Sequence, residues 1–139
     1  MSGETDLARL LASMTPVLQP GRFVFATLPD GTALPAASIV PVMSFREAEG
    51  LTLILSEEAA AQLGLPGIFP SRMITLEVHS SLEAVGFLAA ITHHLAAAGM
   101  GVNPVSAFYH DHLFVPAERA EEAMRLLREL SSASREGKA

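Results

Sequence analysis

Apolar positions along this chain change period several times, and the changes mark its elements. Leu7, Leu10, Leu11 and Met14 recur at three- and four-residue spacing, which predicts a helix over 5–14 with Thr5 as its cap. Pro16, Pro20 and Gly21 interrupt that pattern. Arg22–Leu28 is rich in strand formers (Phe23, Val24, Phe25), and Pro29-Asp30-Gly31 is a turn signal. Ala33–Ser38 reads as irregular and carries Pro35. Ile39–Phe45 reads as a strand, with Pro41 favouring an edge or a bulge. Glu47-Ala48-Glu49-Gly50 is a connecting turn, and Leu51–Leu55 a short buried strand. Ser56 caps a brief helix whose first turn carries Glu57 and Glu58, where the helix dipole favours negative charge. Gly64 ends it. Leu65–Pro70, with two prolines and one glycine, reads as the linker of the chain.

The second half repeats this alternation more fully. Met73–Val78 is an apolar strand. Ser80 and Glu83 have capping-box spacing, which predicts a helix over Leu82–Ala98 closed by Gly99. Val102–Val115 reads as two strands around His110-Asp111-His112, and Pro116 stops the second. Ala117–Leu130 returns to helical spacing, with the stripe Ala120, Ala123, Met124, Leu127 and Leu130. Glu121–Arg125 and Arg125–Glu129 are four-apart pairs on its polar side. Residues 131–139 are small and polar and are expected to fray. The order is β-α-β-β-α.

A weak internal repeat emerges. "LTLILSEEAAAQLG" and "HLFVPAERAEEAM" share one grammar of apolar strand, cap or stop, acid and helix, and the strands Arg22–Leu28 and Arg72–Val78 correspond. Both halves read as copies of one β-α-β-β-α-β unit. The first copy is degenerate: only about ten residues separate its first two strands, fewer than a crossover helix needs. The helix over 5–14 is a candidate for the vacant place on that sheet.

Composition narrows the function. Half of the 139 residues are hydrophobic and 17% are charged, enough apolar content for a sizeable core. Modules of about 65 residues are marginal alone and need packing partners. The net charge of −6 argues against nucleic acid, which calls for clustered Lys and Arg, and against an anionic membrane surface. With no cysteine there is no disulfide, thiol catalysis or thiolate metal site. No basic start with an apolar run suggests a signal peptide, and no apolar run approaches the roughly eighteen residues of a membrane span. A cytoplasmic location is expected.

"FREAEGLTLILSEEAA" and "AGMGVNPVSAFYHDHLFVP", in that order, resemble the centres of the first and second modules of small bacterial tandem ACT-domain proteins. The paired modules are similar to those of cytosolic arginine sensors and, more distantly, of aspartate kinase regulatory domains. The resemblance covers nearly the whole chain. It implies an α+β fold of two tandem ferredoxin-like ACT modules with antiparallel sheets, 1–66 with the N-terminal helix and 67–139, the first degenerate. It implies a regulatory protein that binds a small molecule, an amino acid or related metabolite, where modules meet, and that forms a homodimer or larger homo-oligomer. The alternative is a protein-interaction module with a vestigial pocket.

Candidate site residues follow from ligand chemistry. An amino acid's carboxylate needs backbone N–H groups, and the turn at His79, Ser80, Ser81 and Leu82 precedes a helix N-terminus. The Gly99-Met100-Gly101 turn, followed by Val102 and Asn103, lets backbone approach a ligand closely. In ACT modules, the resemblance implies, both places line the effector pocket. Ser80 as a mere cap and Gly99 as a mere stop is the competing reading. Asp111 lies inside an apolar strand, where a carboxylate is costly to bury without a partner. It could meet a ligand cation, pair with Arg72, or sit at a solvated turn. Strand alternation puts it with Tyr109 and Leu113, opposite His110, His112 and Phe114. Glu49 and Gly50 are a solvated turn or a contact for a ligand ammonium. No metal is expected: His110 and His112 are two apart, but His93 and His94 point about 100° apart on a helix. No cofactor is expected. The absence of a P-loop, a dinucleotide fingerprint, a nucleophile elbow and a His-Glu-x-x-His pattern argues against an enzyme. A residual enzyme reading would rest on Asp111 with His110 or His112.

Overall fold

In the computed structural model, residues 3–29, 32 and 39–137 are described. The expected turn at Asp30-Gly31 and the irregular stretch 33–38 lie outside them. The elements are α1 (Leu7–Ser13), β1 (Thr15–Leu18), β2 (Phe23–Pro29), β3 (Met43–Glu47), β4 (Gly50–Ser56), α2 (Glu57–Leu63), β5 (Ile68–Glu77), α3 (Phe87–Ala96), β6 (Asn103–Ser106), β7 (Asp111–Pro116) and α4 (Ala120–Arg135). They form two compact units, Met1–Pro20 with Arg72–Ala139, and Gly21–Ser71. The sequence sets its module limits at 66/67; the compact units divide the chain at Pro20/Gly21 and at Ser71/Arg72, the second point lying inside β5.

The 21–71 unit is built on β2, β4 and β3, all antiparallel, with Phe25 facing Ile54 and Phe45 facing Thr52. Phe23 and Phe25 of β2 also pair with Ser71 and Ile68 at the start of β5. The stretch Leu65–Pro70 is therefore part strand, not wholly linker. A register shift accompanies Phe69, whose φ of 54° is left-handed and whose ring meets Phe25 edge-on at 5.9 Å. A β-bulge explains why a Pro- and Gly-containing run still pairs. Val24, Leu28, Leu53, Leu55 and Ala60 form the core beneath α2. Helix α2 follows its sequence: Ser56 Oγ accepts from Ala59 N at 3.0 Å, and Gly64 closes it at φ 67°. The β3–β4 hairpin needs glycine at position 50, where a Cβ would lie 2.2 Å from the Leu28 carbonyl oxygen.

The other unit has the strand order β6-β7-β5 with β1 added beyond β5. This is the same second-third-first-fourth order, but its fourth strand comes from the N-terminus, where Thr15 faces Glu77 and Leu18 faces Ile74. Pro16 is tolerated because β1 is an edge and its missing N–H faces no neighbour. Helix α1 packs on α4 in this unit and does not fill the vacancy in the 21–71 sheet: Leu10, Leu11 and Met14 join the core of Ile91, Leu113 and Leu127. Its last carbonyls are satisfied by α4, where Ser131 Oγ donates to Met14 O at 3.1 Å and Arg135 Nη1 to Ala12 O at 3.1 Å. Leu10, Leu11 and Met14, once buried, each contribute roughly 1.5–3 kcal/mol. The α4 stripe Ala120, Ala123, Met124 and Leu127 is buried as its spacing predicts. Arg125 pairs with Glu129 at 2.8 Å.

Helix α3 begins at Phe87, five residues later than expected, and ends at Ala96. The Ser80–Glu83 capping box does not form. Glu4 lies alongside Ser80 in a parallel bridge, with Glu4 N donating to His79 O at 2.8 Å and Ser81 N to Glu4 O at 2.9 Å. That bridge holds 79–81 extended, so the helix waits for the turn at 82–86. Its N-cap is Gly86, with no side-chain hydrogen bond.

Candidate functional site

A small, partly enclosed cavity of about 80 Å³ opens where three segments of the 72–139 region converge. The β5–α3 connection supplies Ser80, Ser81, Leu82 and Ala84; the first turn of α3 supplies Phe87 and Leu88; the β6–β7 hairpin supplies Ser106, Ala107 and Asp111. Asp111 opens β7 and begins its core-facing row, followed by Leu113 and Val115. It is only 8% exposed, and Ser106 Oγ donates to its Oδ1 at 2.5 Å. Strand alternation starts at Asp111. The preceding residues form the hairpin turn, where Ala107 N donates to His110 O at 3.0 Å, so Tyr109 belongs to the turn rather than the strand face.

Of the turn amides expected to be open, those of Ser80 and Ser81 are engaged internally, as are the next ones at Glu83 and Ala84. Ser80 N donates to Val78 O at 2.8 Å, Ser81 N to Glu4 O, Glu83 N to Ser81 Oγ at 3.0 Å, and Ala84 N to Ser81 O at 3.0 Å. Ser80, Ser81, Leu82 and Asp111 are brought together, and His79 stands beside them with its ring 5.3 Å from that of Tyr109. Arg72 does not pair with Asp111; its Nη2 donates to Gln19 O at 3.0 Å.

Gly99, Met100, Gly101, Val102 and Asn103 are not in this cavity. They follow the C-terminal end of α3, whereas Ser80–Leu82 precede its N-terminal end. Ten helical residues, about 15 Å, separate the two places. Met100 is buried in the core, Asn103 faces Phe114, and Arg119 donates to Ala98 O at 2.9 Å and Gly99 O at 3.0 Å. Glu49 and Gly50 belong to the 21–71 unit. Glu49 is exposed in its hairpin, and Gly50 is buried against Leu28. There, Glu47 accepts from Thr52 Oγ1 and lines a shallow groove with Phe25, Thr27 and Ile68. Ala84, Phe87, Leu88, Ser106 and Ala107 are lining residues that sequence reasoning missed, Phe87, Leu88 and Ser106 being the ones that shape the space. Their signal was weak: a serine near a hairpin and two apolar residues inside a helix.

The histidines face different ways. His110 Nδ1 donates to Val78 O at 3.3 Å. His112 points to the opposite face of β7, its Nδ1 2.9 Å from Thr75 Oγ1, which itself accepts from Gln19 Nε2 at 3.0 Å. Burial pushes the His112 imidazole below its usual value; the nearby His110 adds to this, and Asp111 opposes it. Among the described residues, no group of three or more His, Asp or Glu side chains is placed to hold a metal ion. Among them, no helix is long and apolar enough to cross a membrane.

Family models describing an ACT domain match residues 2–72 and again 68–129. A crystal structure from Vibrio cholerae, of a protein of unknown function described as a possible transport protein, is 44% identical, with a TM-score of 0.81 over 90% of this chain and 95% of that one. The regulatory subunit of aspartate kinase from Thermus flavus is 13% identical, with a TM-score of 0.58 over 84% and 96%. The aspartate kinase of Clostridium acetobutylicum is 8% identical, with a TM-score of 0.61 over 83% of this chain and 34% of that one. At such identities the likeness to the kinases is one of fold. No curated protein matches the chain significantly.

Proposed function

The chain belongs to the ACT-domain family, and from that membership we propose that it is a regulatory protein that binds a free amino acid or a closely related small metabolite reversibly. The output is regulatory and no reaction is assigned. The observation that carries this reading is the cavity at the head of α3, where Ser80, Ser81 and the buried Asp111 converge on a space closed by the apolar side chains of Phe87 and Leu88. A few polar groups set in an apolar wall are what a small-molecule site requires. Self-association into a homodimer and a cytoplasmic location belong to the same proposal.

Isothermal titration of the folded protein against the twenty amino acids tests it. Heat of binding is expected for one or a few, and silence from all twenty sinks the proposal. A second reading, a protein-interaction module with a vestigial pocket, is favoured by the exposed Leu82, which lines the cavity, and the exposed Val85, Phe108 and Tyr109 in the same two connections. It predicts no shift in melting temperature with any metabolite.

A further inference from the structure

We propose that residues 3–5 form an autoinhibitory strap, which holds the cavity at the head of α3 closed and must lift before a ligand can settle there. This rests on the small-molecule reading above and assigns its regulation. Four of the lining residues, Ser80, Ser81, Leu82 and Ala84, lie in the connection between β5 and α3. Among the described residues, the strand-like partner of that connection is Glu4. Glu4 N donates to His79 O at 2.8 Å, and Ser81 N donates to Glu4 O at 2.9 Å. At the far end of the connection, Leu7 Cδ2 lies 3.5 Å from where a Cβ on Gly86 would stand. The cavity wall is thus gripped at one end by the strap and at the other by the first turn of α1.

The strap is close but lightly held. A Cβ on Gly3 would fall 2.6 Å from Ser81 N, so only glycine permits the approach. The Glu4 side chain takes no part in the bridge: its carboxylate accepts from Thr5 N at 2.9 Å and Asp6 N at 3.2 Å, and pairs with Arg9 at 3.8 Å. Gly3, Thr5, Asp6, Ala8 and Arg9 are exposed, and the core begins at Leu10. Lifting residues 3–5 therefore breaks two backbone hydrogen bonds and leaves the buried side of α1 in place. A segment with so few buried contacts opens far more readily than the whole protein unfolds. Thr5, between the bridge at Glu4 and the α1 cap at Asp6, is the hinge. The closed form is small: at about 80 Å³ its cavity is far below the roughly 300 Å³ at which small-molecule pockets begin. While the strap is docked, the backbone at 79–81 cannot recede. Once it lifts, that end of the wall is free to move away from Asp111 and Phe87 across the cavity. Apparent affinity is then the intrinsic affinity reduced by the fraction of molecules that are open.

The test is calorimetric titration of the full chain with each of the twenty amino acids, in the wild type and in two variants that lift the strap. Gly3→Val drives a Cβ into the 79–81 backbone. Glu4→Pro removes the N–H given to His79 O, and stands in if Gly3→Val does not fold. Hydrogen exchange at the α1 amides, unchanged from the wild type, shows that each variant is folded. An amino acid that binds the wild type is expected to bind both variants about tenfold more tightly, since two hydrogen bonds no longer hold the closed form. Glu4→Gln, which keeps the backbone bridge, should bind as the wild type does. Unchanged or weaker binding in the strap variants overturns the inference and leaves the sensor reading standing. So does an equal gain in Glu4→Gln, which would assign the effect to the carboxylate. Silence in the wild type and the variants alike sinks both.

Discussion

His112 joins sequence, packing and pH in a single side chain. Alternation along β7 turns it away from the helix-side core, and there it meets Thr75. Its folded-state pKa is depressed, so the neutral ring is the form the fold prefers. The unfolded chain then binds more protons through the transition, and stability rises with pH. This contribution is fully present above the ordinary histidine value of about 6.5 and is lost as pH falls through the lower folded value. Urea unfolding between pH 5 and 8 should show that slope, and His112→Gln should flatten it; an unchanged slope in the variant removes His112 as its source. Leu127 makes a purely apolar case. It is fully buried on the α4 stripe, and Leu127→Ala should cost about 2–5 kcal/mol in chemical denaturation, with cavity formation adding to lost transfer energy.

Among elements, α1 and its lead-in show how a short segment is held. Seven helical residues are too few to persist alone. Leu10, Leu11 and Met14 bury against α4, and Ser131, 2% exposed, supplies the hydroxyl for the carbonyls at the end of α1. Ser131→Ala should destabilise the protein by roughly 1–3 kcal/mol, since the buried Met14 carbonyl loses its donor while Ala12 O keeps Arg135. The lead-in is secured differently, by the backbone bridge between Glu4 and Ser80. At Gly3, φ is 97° and a Cβ would fall 2.6 Å from Ser81 N and 2.7 Å from the Ser80 carbonyl carbon. Neither atom can yield, so Gly3→Val should lift the strand from 79–81 while α1 stays docked. Hydrogen exchange reports this: the Ser81 amide should exchange much faster in the variant, and the amides of α1 should not.

Across the whole molecule, the distinctive feature is that one compact unit is assembled from both ends of the chain. The fragment 67–139 lacks β1 and α1, so Ile74 and Leu76 lose their edge strand and Leu127 its cover. It should be poorly folded by circular dichroism and near-ultraviolet signals, and peptide 3–20 added in trans should restore order. A fragment that folds cooperatively without the peptide would contradict this assembly. Much of the chain could be read before any coordinates. The stripe of α4 and the Ser56 and Gly64 caps of α2 were legible because each depends on residues within a turn or two of one another, and the duplicated modules because both copies repeat one strand-cap-helix grammar; the strand read over 39–45 begins only at Met43 and runs to Glu47. The late start of α3 was not legible, because its cause, Glu4, lies far away in sequence. Nor was β1: four residues with a proline carry little strand signal, and only a vacant edge beside β5 makes Thr15–Leu18 a strand. The candidate site divided in the same way. Local spacing marked Ser80, Ser81 and Asp111 as polar residues in demanding places. Their convergence, the engagement of the nearby amides and the separation of Gly99–Asn103 by the length of α3 were decided by tertiary packing, since hydrogen bonds between distant backbone segments leave no periodic trace in a sequence.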